Sequence, residues 1–189
     1  MAVASVVAAA AALAVQWRFG RRGVSRHCRN RRTGDGCGFS NAFRIDAMTL
    51  AVGPSFSLSC PAAVSLALWE RHVLLPAARR HLARPIARIE HFGSYACRNR
   101  YGREGGTRSR HATADAIDIA GVMLEGGRRV TVARDWHGAG SAEDEAEMRF
   151  VREIHVGACA LFDVVLGPDY NAAHADHLHL DRGRGRLCR

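Results

Sequence analysis

The chain has 189 residues, 48% of them hydrophobic and 24% charged, with a formal net charge of +9. That balance is the one expected of a single soluble globular domain with a proper core. The basic residues are all arginine, with no lysine, and suit an anionic partner as well as a solvated surface. No stretch interleaves basic and aromatic residues and no DNA-reading motif occurs, so specific nucleic-acid binding is not expected.

The chain opens on an apolar run, Ala2 to Val15, followed by Trp17, Arg18, Arg21 and Arg22. The run is short of the roughly twenty residues that cross a bilayer but has the length of a signal-peptide core. Residues 1–17 are therefore read as an apolar leader that exports the chain or anchors it to a membrane. Residues 18–40 are rich in arginine and glycine and read as a basic linker, with one domain following over residues 41–189.

Within that domain, Thr49 to Val52 suggests a short strand ended by Gly53-Pro54. Ser59 and Pro61 mark a helix start, with Val64, Leu68, Val73 and Leu74 recurring at helical intervals and Pro76 expected to break it. Strands are expected over 86–92 and 116–122, the second returning through Glu125-Gly126-Gly127 to Val130-Thr131-Val132 as a hairpin. Ser141 to Asp144 resembles a capping box, and Met148, Val151, Ile154, Ala158 and Leu161 form one apolar stripe behind it. Short strands close the chain at 164–166 and 177–180. This order predicts an α+β fold, a small mixed or antiparallel sheet flanked by helices.

Six cysteines, Cys28, Cys37, Cys60, Cys97, Cys159 and Cys188, form an even set with no Cys-x-x-Cys pair. Zinc ribbons and thioredoxin-type redox sites are thereby disfavoured. Up to three structural disulfides fit, and these persist only in an oxidising compartment, so an extracytoplasmic location in the periplasm or cell envelope is expected. Proximity of a strand and a helix suggests Cys97 with Cys159, and Cys188 is expected to tie down the tail.

Two stretches carry chemistry: Ser109 to Asp118, and His174-Ala175-Asp176-His177-Leu178-His179. Period two sets Asp118 on the strand face opposite Ile117 and Ile119, and His177 and His179 opposite Leu178 and Leu180. His111, Asp118 and His179 then offer two imidazoles and a carboxylate, the three protein ligands of a hydrolytic Zn2+ with an open fourth position. A general base is also needed, and either Asp176 or His177 could serve.

Ser109-x-His111-x-x-Ala114-x-Ala116-x-Asp118 resembles the Ser-x-His-x-x-Gly-x-Ala-x-Asp signature of the LAS-type zinc peptidases, the D-Ala-D-Ala carboxypeptidases and murein endopeptidases, with the glycine changed to Ala114. The resemblance implies that His111, Asp118 and His179 bind zinc. A carboxypeptidase-like base falls at Asp176, while His174, His177 and His179 reproduce the endopeptidase pattern His-x-x-His-x-His. Arg98 takes the place of a substrate-contacting arginine and Ser109 that of a residue orienting a ligand or substrate. The region from about Cys37 to Arg189 is also similar to the bacterial extensin-like C-terminal domain family, through Tyr95-Ala96-Cys97-Arg98, Gly157-Ala158-Cys159, Leu166 to Asn171 and Cys188-Arg189. That likeness implies a disulfide-stabilised, LAS-metallopeptidase-like envelope protein. The expected function is a monomeric, zinc-dependent peptidase acting on peptidoglycan or its stem peptides. The alternative is a non-catalytic wall-binding module that retains the metal site.

Overall fold

The computed structural model describes residues 29–189; the leader at 1–17, the start of the expected linker and Cys28 lie outside the described residues. Where composition suggests a linker reaching residue 40, the chain forms a hairpin instead, β1 (Arg29–Gly34) and β2 (Cys37–Ala47). Its turn, Gly34-Asp35-Gly36, has all three residues at positive φ, a conformation glycine adopts freely and aspartate tolerates. The glycine that suggests flexibility is here turn chemistry.

β3 (Ala51–Ser59) runs on through Gly53-Pro54 rather than ending there. Pro54 falls at the irregularity between the Ile45/Phe56 and Ala47/Ala51 pairs, where the ladder asks no N–H of it. Helix α1 (Cys60–Trp69) starts as expected, with Pro61 in its first turn. Pro76 does not break the helical path. A wider π-turn, Glu70–Leu74, leads into α2 (Leu75–His81), and Leu75 N–H reaches five residues back to the Glu70 carbonyl. The buried face is Ala62, Ser65, Leu66, Trp69 and Leu74, while Val64 is 47% exposed, so the face lies to one side of the expected stripe.

The remaining elements are β4 (Ile86–Gly93), β5 (Ala116–Leu124), β6 (Arg129–Thr131), a short α3 (Val132–Asp135), α4 (Ala142–Ala158), β7 (Val164–Leu166), β8 (Leu178–Asp181) and β9 (Leu187–Cys188). The Ser141–Asp144 capping box at the head of α4 is complete, each partner bonding the other's backbone N–H. The strands form one nine-stranded sheet in the order β1-β2-β3-β4-β5-β8-β7-β9, with β6 pairing the far half of β5. The α+β class stands, and the sheet is mixed: β3–β4 and β7–β9 are parallel and the other pairs antiparallel. It is much larger than the small sheet expected, because the first hairpin adds to it and the tail closes its other edge.

Ile117, Ile119, Leu178 and Leu180 lie on the apolar face of the central strands, fully buried in one core with Trp69, Phe150 and Ile154. Each such side chain contributes about 1.5–3 kcal/mol. The Trp69 indole N–H donates to the Ile154 carbonyl at 2.9 Å, joining α1 to α4. Gly157 lets α4 approach the π-turn, since a Cβ there would meet Val73 at 2.4 Å. Among the described residues no helix is long and apolar enough to cross a membrane.

Cys37 is bonded to Cys97 and Cys159 to Cys188, which corrects the expected Cys97–Cys159 pair. Cys97 follows β4 and meets the start of β2, whereas Cys159 ends α4 against β9. Cys60 is half-buried and bonded to no other described cysteine. Cys37–Cys97 closes 60 residues, so the double variant Cys37→Ser/Cys97→Ser is expected to lose about 4 kcal/mol in urea unfolding. A loss under about 1 kcal/mol would mean that the hairpin holds its place without the cross-link.

Candidate metal centre

The centre begins with register. β5 and β8 are antiparallel with Asp118 directly opposite His179, flanked by the pairs Ile117–Leu180 and Ile119–Leu178. One cross-strand pair therefore carries a carboxylate and an imidazole on the face turned away from the helices. His111 arrives from the 3-10 turn Arg110–Thr113, just before β5. Ser109 caps that turn, its hydroxyl accepting the His111 N–H at 3.3 Å. The serine thus acts on the backbone that presents the histidine. His111, Asp118 and His179 are all buried, and their donor atoms lie within 4.8 Å of one another.

The hydrogen bonds orient the two rings. His111 Nδ1 lies 2.5 Å from the Ser94 carbonyl, which only accepts, so Nδ1 carries hydrogen and Nε2 faces the centre. His179 Nε2 lies 3.1 Å from the Asp181 carboxylate, leaving Nδ1 to face the centre. The inward atoms are 3.2 Å apart from nitrogen to nitrogen, and 2.9 Å from His179 Nδ1 to Asp118 Oδ1. His111 Nε2 is 3.1 Å from Asp118 Oδ2. Two imidazole lone pairs and a carboxylate cannot converge so closely without a proton or a cation between them. The edges of a tetrahedron with bonds of about 2.0–2.1 Å are about 3.3 Å, so the donor set fits zinc.

In the protein alone, protons fill the gap. Burial opposes charge on His179, but hydrogen bonds to Asp118 and Asp181 prevail and push it up to about 9. Burial likewise acts to raise Asp118, yet the hydrogen bonds from His111 and His179 hold it well below the usual carboxylate range. A metal must displace these protons, so affinity falls as pH falls. A second group with ligand chemistry, His155, Cys159 and Cys188, has both sulfurs in the disulfide and leaves only the imidazole.

The other residues expected at the site gather around the centre. Arg98, Ser109, His174 and His177 line the same cavity, of about 340 Å³. His177 Nδ1 is 2.8 Å from Asp176 Oδ1 and its Nε2 is 3.5 Å from Asp118 Oδ1. The His177 side chain is 12% exposed and that of Asp176 57%, so the histidine faces the centre and the aspartate stands outside it. His174 packs beside both His177 and His179, its Nδ1 2.8 Å from Asn171 Oδ1. The loop bearing Asn171 is anchored by Asp169, which accepts from the Trp136 indole at 2.8 Å and from Arg152.

Sequence reasoning missed Asp181, although the alternation that links His177 to His179 continues to it. It also missed the Ser94 carbonyl, which no side-chain pattern marks, and the cavity-lining Tyr101, Tyr170, Arg184 and Arg186.

Ala114 explains a local feature of the first stretch. It ends the turn at φ 56, ψ 27, left-handed backbone that suits glycine, and its carbonyl accepts the Ser59 N–H at 2.8 Å. An alanine there costs roughly 1–2 kcal/mol, against about 0.8 kcal/mol for the methyl group it buries. Ala114→Gly is therefore expected to stabilise the fold by up to about 1 kcal/mol, read as a higher Tm. A lower Tm would show that packing outweighs strain.

His174 gives a second check. Burial, then the neighbouring His177 and His179, push it down to about 4. Its folded value lies below that of a free histidine, so the metal-free protein loses stability as pH falls from about 6.5 through 4. Imidazole NMR of the metal-free protein should show one ring titrating near 4; a normal midpoint for His174 would contradict its buried, hydrogen-bonded position.

No curated protein and no solved structure matches the chain. The model of the family described as "Extensin-like protein C-terminus" matches residues 16–189, nearly the whole sequence, and takes in both stretches that build the centre. The chain belongs to that extensin-like C-terminal family.

Proposed function

We propose that the protein is a zinc-dependent peptidase of the cell envelope, acting on peptidoglycan stem peptides or cross-links. The observation that carries this reading is the convergence of His111 Nε2, His179 Nδ1 and Asp118, with both outward ring nitrogens already engaged. Zinc held there would supply Lewis acidity, making a water nucleophilic near neutral pH and polarising a carbonyl. The order of these residues, with Ser109 ahead of them, supports a LAS-type relationship. The two disulfides support an oxidising compartment.

Of the two candidates for general base, His177 has the better geometry. Its Nε2 points to the centre, and Asp176 holds Nδ1 so that Nε2 can take a proton from water and return it to the leaving amine. The Asp176 carboxylate stabilises the imidazolium so formed. His174 beside it stays neutral near pH 7 and so adds no charge of its own against that proton transfer. Asp181 keeps His179 in the tautomer that presents Nδ1. Arg98, at the rim, is placed to receive a substrate carbonyl or carboxylate.

Protein purified oxidised and without chelators is expected to carry about one zinc per chain by elemental analysis, lost in His111→Ala and Asp118→Ala. Digestion of isolated peptidoglycan should release new stem fragments by mass spectrometry. His177→Ala should lower kcat roughly 10²–10⁴-fold while zinc content is retained. Absence of zinc would remove the metal reading. Zinc with wall pelleting but no products would leave a binding module in place of an enzyme.

A further inference from the structure

A second cavity, of about 310 Å³, opens where β3 and β4 part. These two strands pair only at Ala51–Arg88 and Val52–Ile89, after which β3 continues in the sheet with β2. His91 fills part of the gap, its Nε2 donating to the Pro54 carbonyl at 2.9 Å and its ring packing edge-on against Phe56. Val52 and Pro54 border the cavity on β3, Glu90 and Phe92 on β4, Ala120 on β5 and Arg129 on β6.

Two features join this cavity to the metal centre. Ile117 and Ile119 enter the core, so Asp118 and Ala120 share the opposite face of β5, about 7 Å apart along the strand. At the end of β4, Gly93 pairs with Asp118, and the Phe92 ring lies edge-on to that of His177 at 5.8 Å. Phe92 therefore borders the second cavity and meets a residue that lines the first. In the strand order β3-β4-β5-β8-β7-β9, the second cavity reaches from β5 to β3, while the first, which takes in Leu166 and Leu187, reaches from β5 to β9. By strand order, Asp118 stands where the two adjoin.

The charges of the second cavity are already paired. Glu90 accepts from Arg88 at 3.0 Å and from Arg129 at 2.6 Å. A charged occupant would compete with that arrangement, whereas Pro54, Phe92 and Ala120 offer apolar contact. Phe92 is 62% exposed, and covering it removes apolar surface from water. The volume is at the low end for a ligand pocket and suits one residue of a longer ligand. We infer that the second cavity binds an apolar side chain of the peptide presented to the centre, so that the bound chain continues past the metal toward β3. The inference rests on the peptidase reading in taking the ligand to be a peptide, but the binding it predicts needs neither metal nor turnover.

The test uses the full chain, metal-free so that binding is read without cleavage. Its probes are fluorescent alanine pentapeptides with leucine, alanine, lysine or glutamate at the centre. The leucine peptide should bind roughly tenfold tighter than the alanine peptide and tighter than either charged one. Phe92→Ala, which removes the exposed ring, and Ala120→Leu, which fills the cavity from β5, should each bring leucine within about twofold of alanine. Phe92 is exposed, so its truncation should leave Tm near that of the parent even if the buried Ala120→Leu change does not. Val156→Ala, at a 66% exposed position on α4, should keep the tenfold preference. Equal binding of leucine and alanine, tighter binding of lysine or glutamate, or a leucine preference that survives Phe92→Ala would each overturn the inference. Zinc content and peptidoglycan cleavage are read separately. Wall cleavage without a leucine preference removes the subsite alone, and a preference without zinc or products keeps the subsite and removes the peptidase.

Discussion

The structure turns on the antiparallel pairing of β5 with β8. One register sets Ile117, Ile119, Leu178 and Leu180 into the core and Asp118 opposite His179 on the other face. A slip of one residue would exchange the two sets, exposing four core side chains and driving the carboxylate and imidazole under the helices. The apolar contacts that stabilise the sheet therefore also fix the geometry of the centre. Folding and site formation are one event at this pair.

Around that pair, the devices that hold the centre are of different kinds. His111 depends on a capped 3-10 turn and a backbone acceptor at Ser94. His179 depends on a carboxylate two residues along its own strand. The outer walls depend on disulfides and on Asp169, which ties the loop after β7 to Trp136. Strand register sets the closest distances, and the loops set what can enter. That division suits a scaffold whose rigid strands hold reacting groups while its loops select among ligands.

The faces that Asp118, His177 and His179 take are legible in the sequence because strand alternation is local. Alternation along a strand tells which face Asp118 and His179 take, and the same alternation reaches Asp181 two residues further on. The capping box at Ser141 was legible for the same reason. What failed depended on distant partners. Glycines near residue 36 suggest flexibility until β2 pairs them into a turn, and Cys97 gives no sign that its partner lies 60 residues earlier in a hairpin. Pro76 is a helix breaker in isolation, but a π-turn ahead of it leaves the helical path intact. Spacing sets Val64 on the buried face, yet Trp69 commits the helix to another side through its contact with α4.

A comparison within the sheet separates structural charge from chemical charge. Glu90 on β4 is as buried as Asp118, and Arg88 and Arg129 hold it at 3.0 and 2.6 Å. Such a pair is complete and asks nothing of solvent or ligand. Asp118 has five arginines lining its cavity and an ion pair with none of them; its partners are histidines whose lone pairs face the same point. An arginine would have satisfied the carboxylate permanently. Imidazoles satisfy it only while they hold protons, and those protons can be exchanged for a cation. The protein leaves one buried carboxylate in exchangeable company and its rim arginines without acidic partners, an arrangement open to completion by a cation.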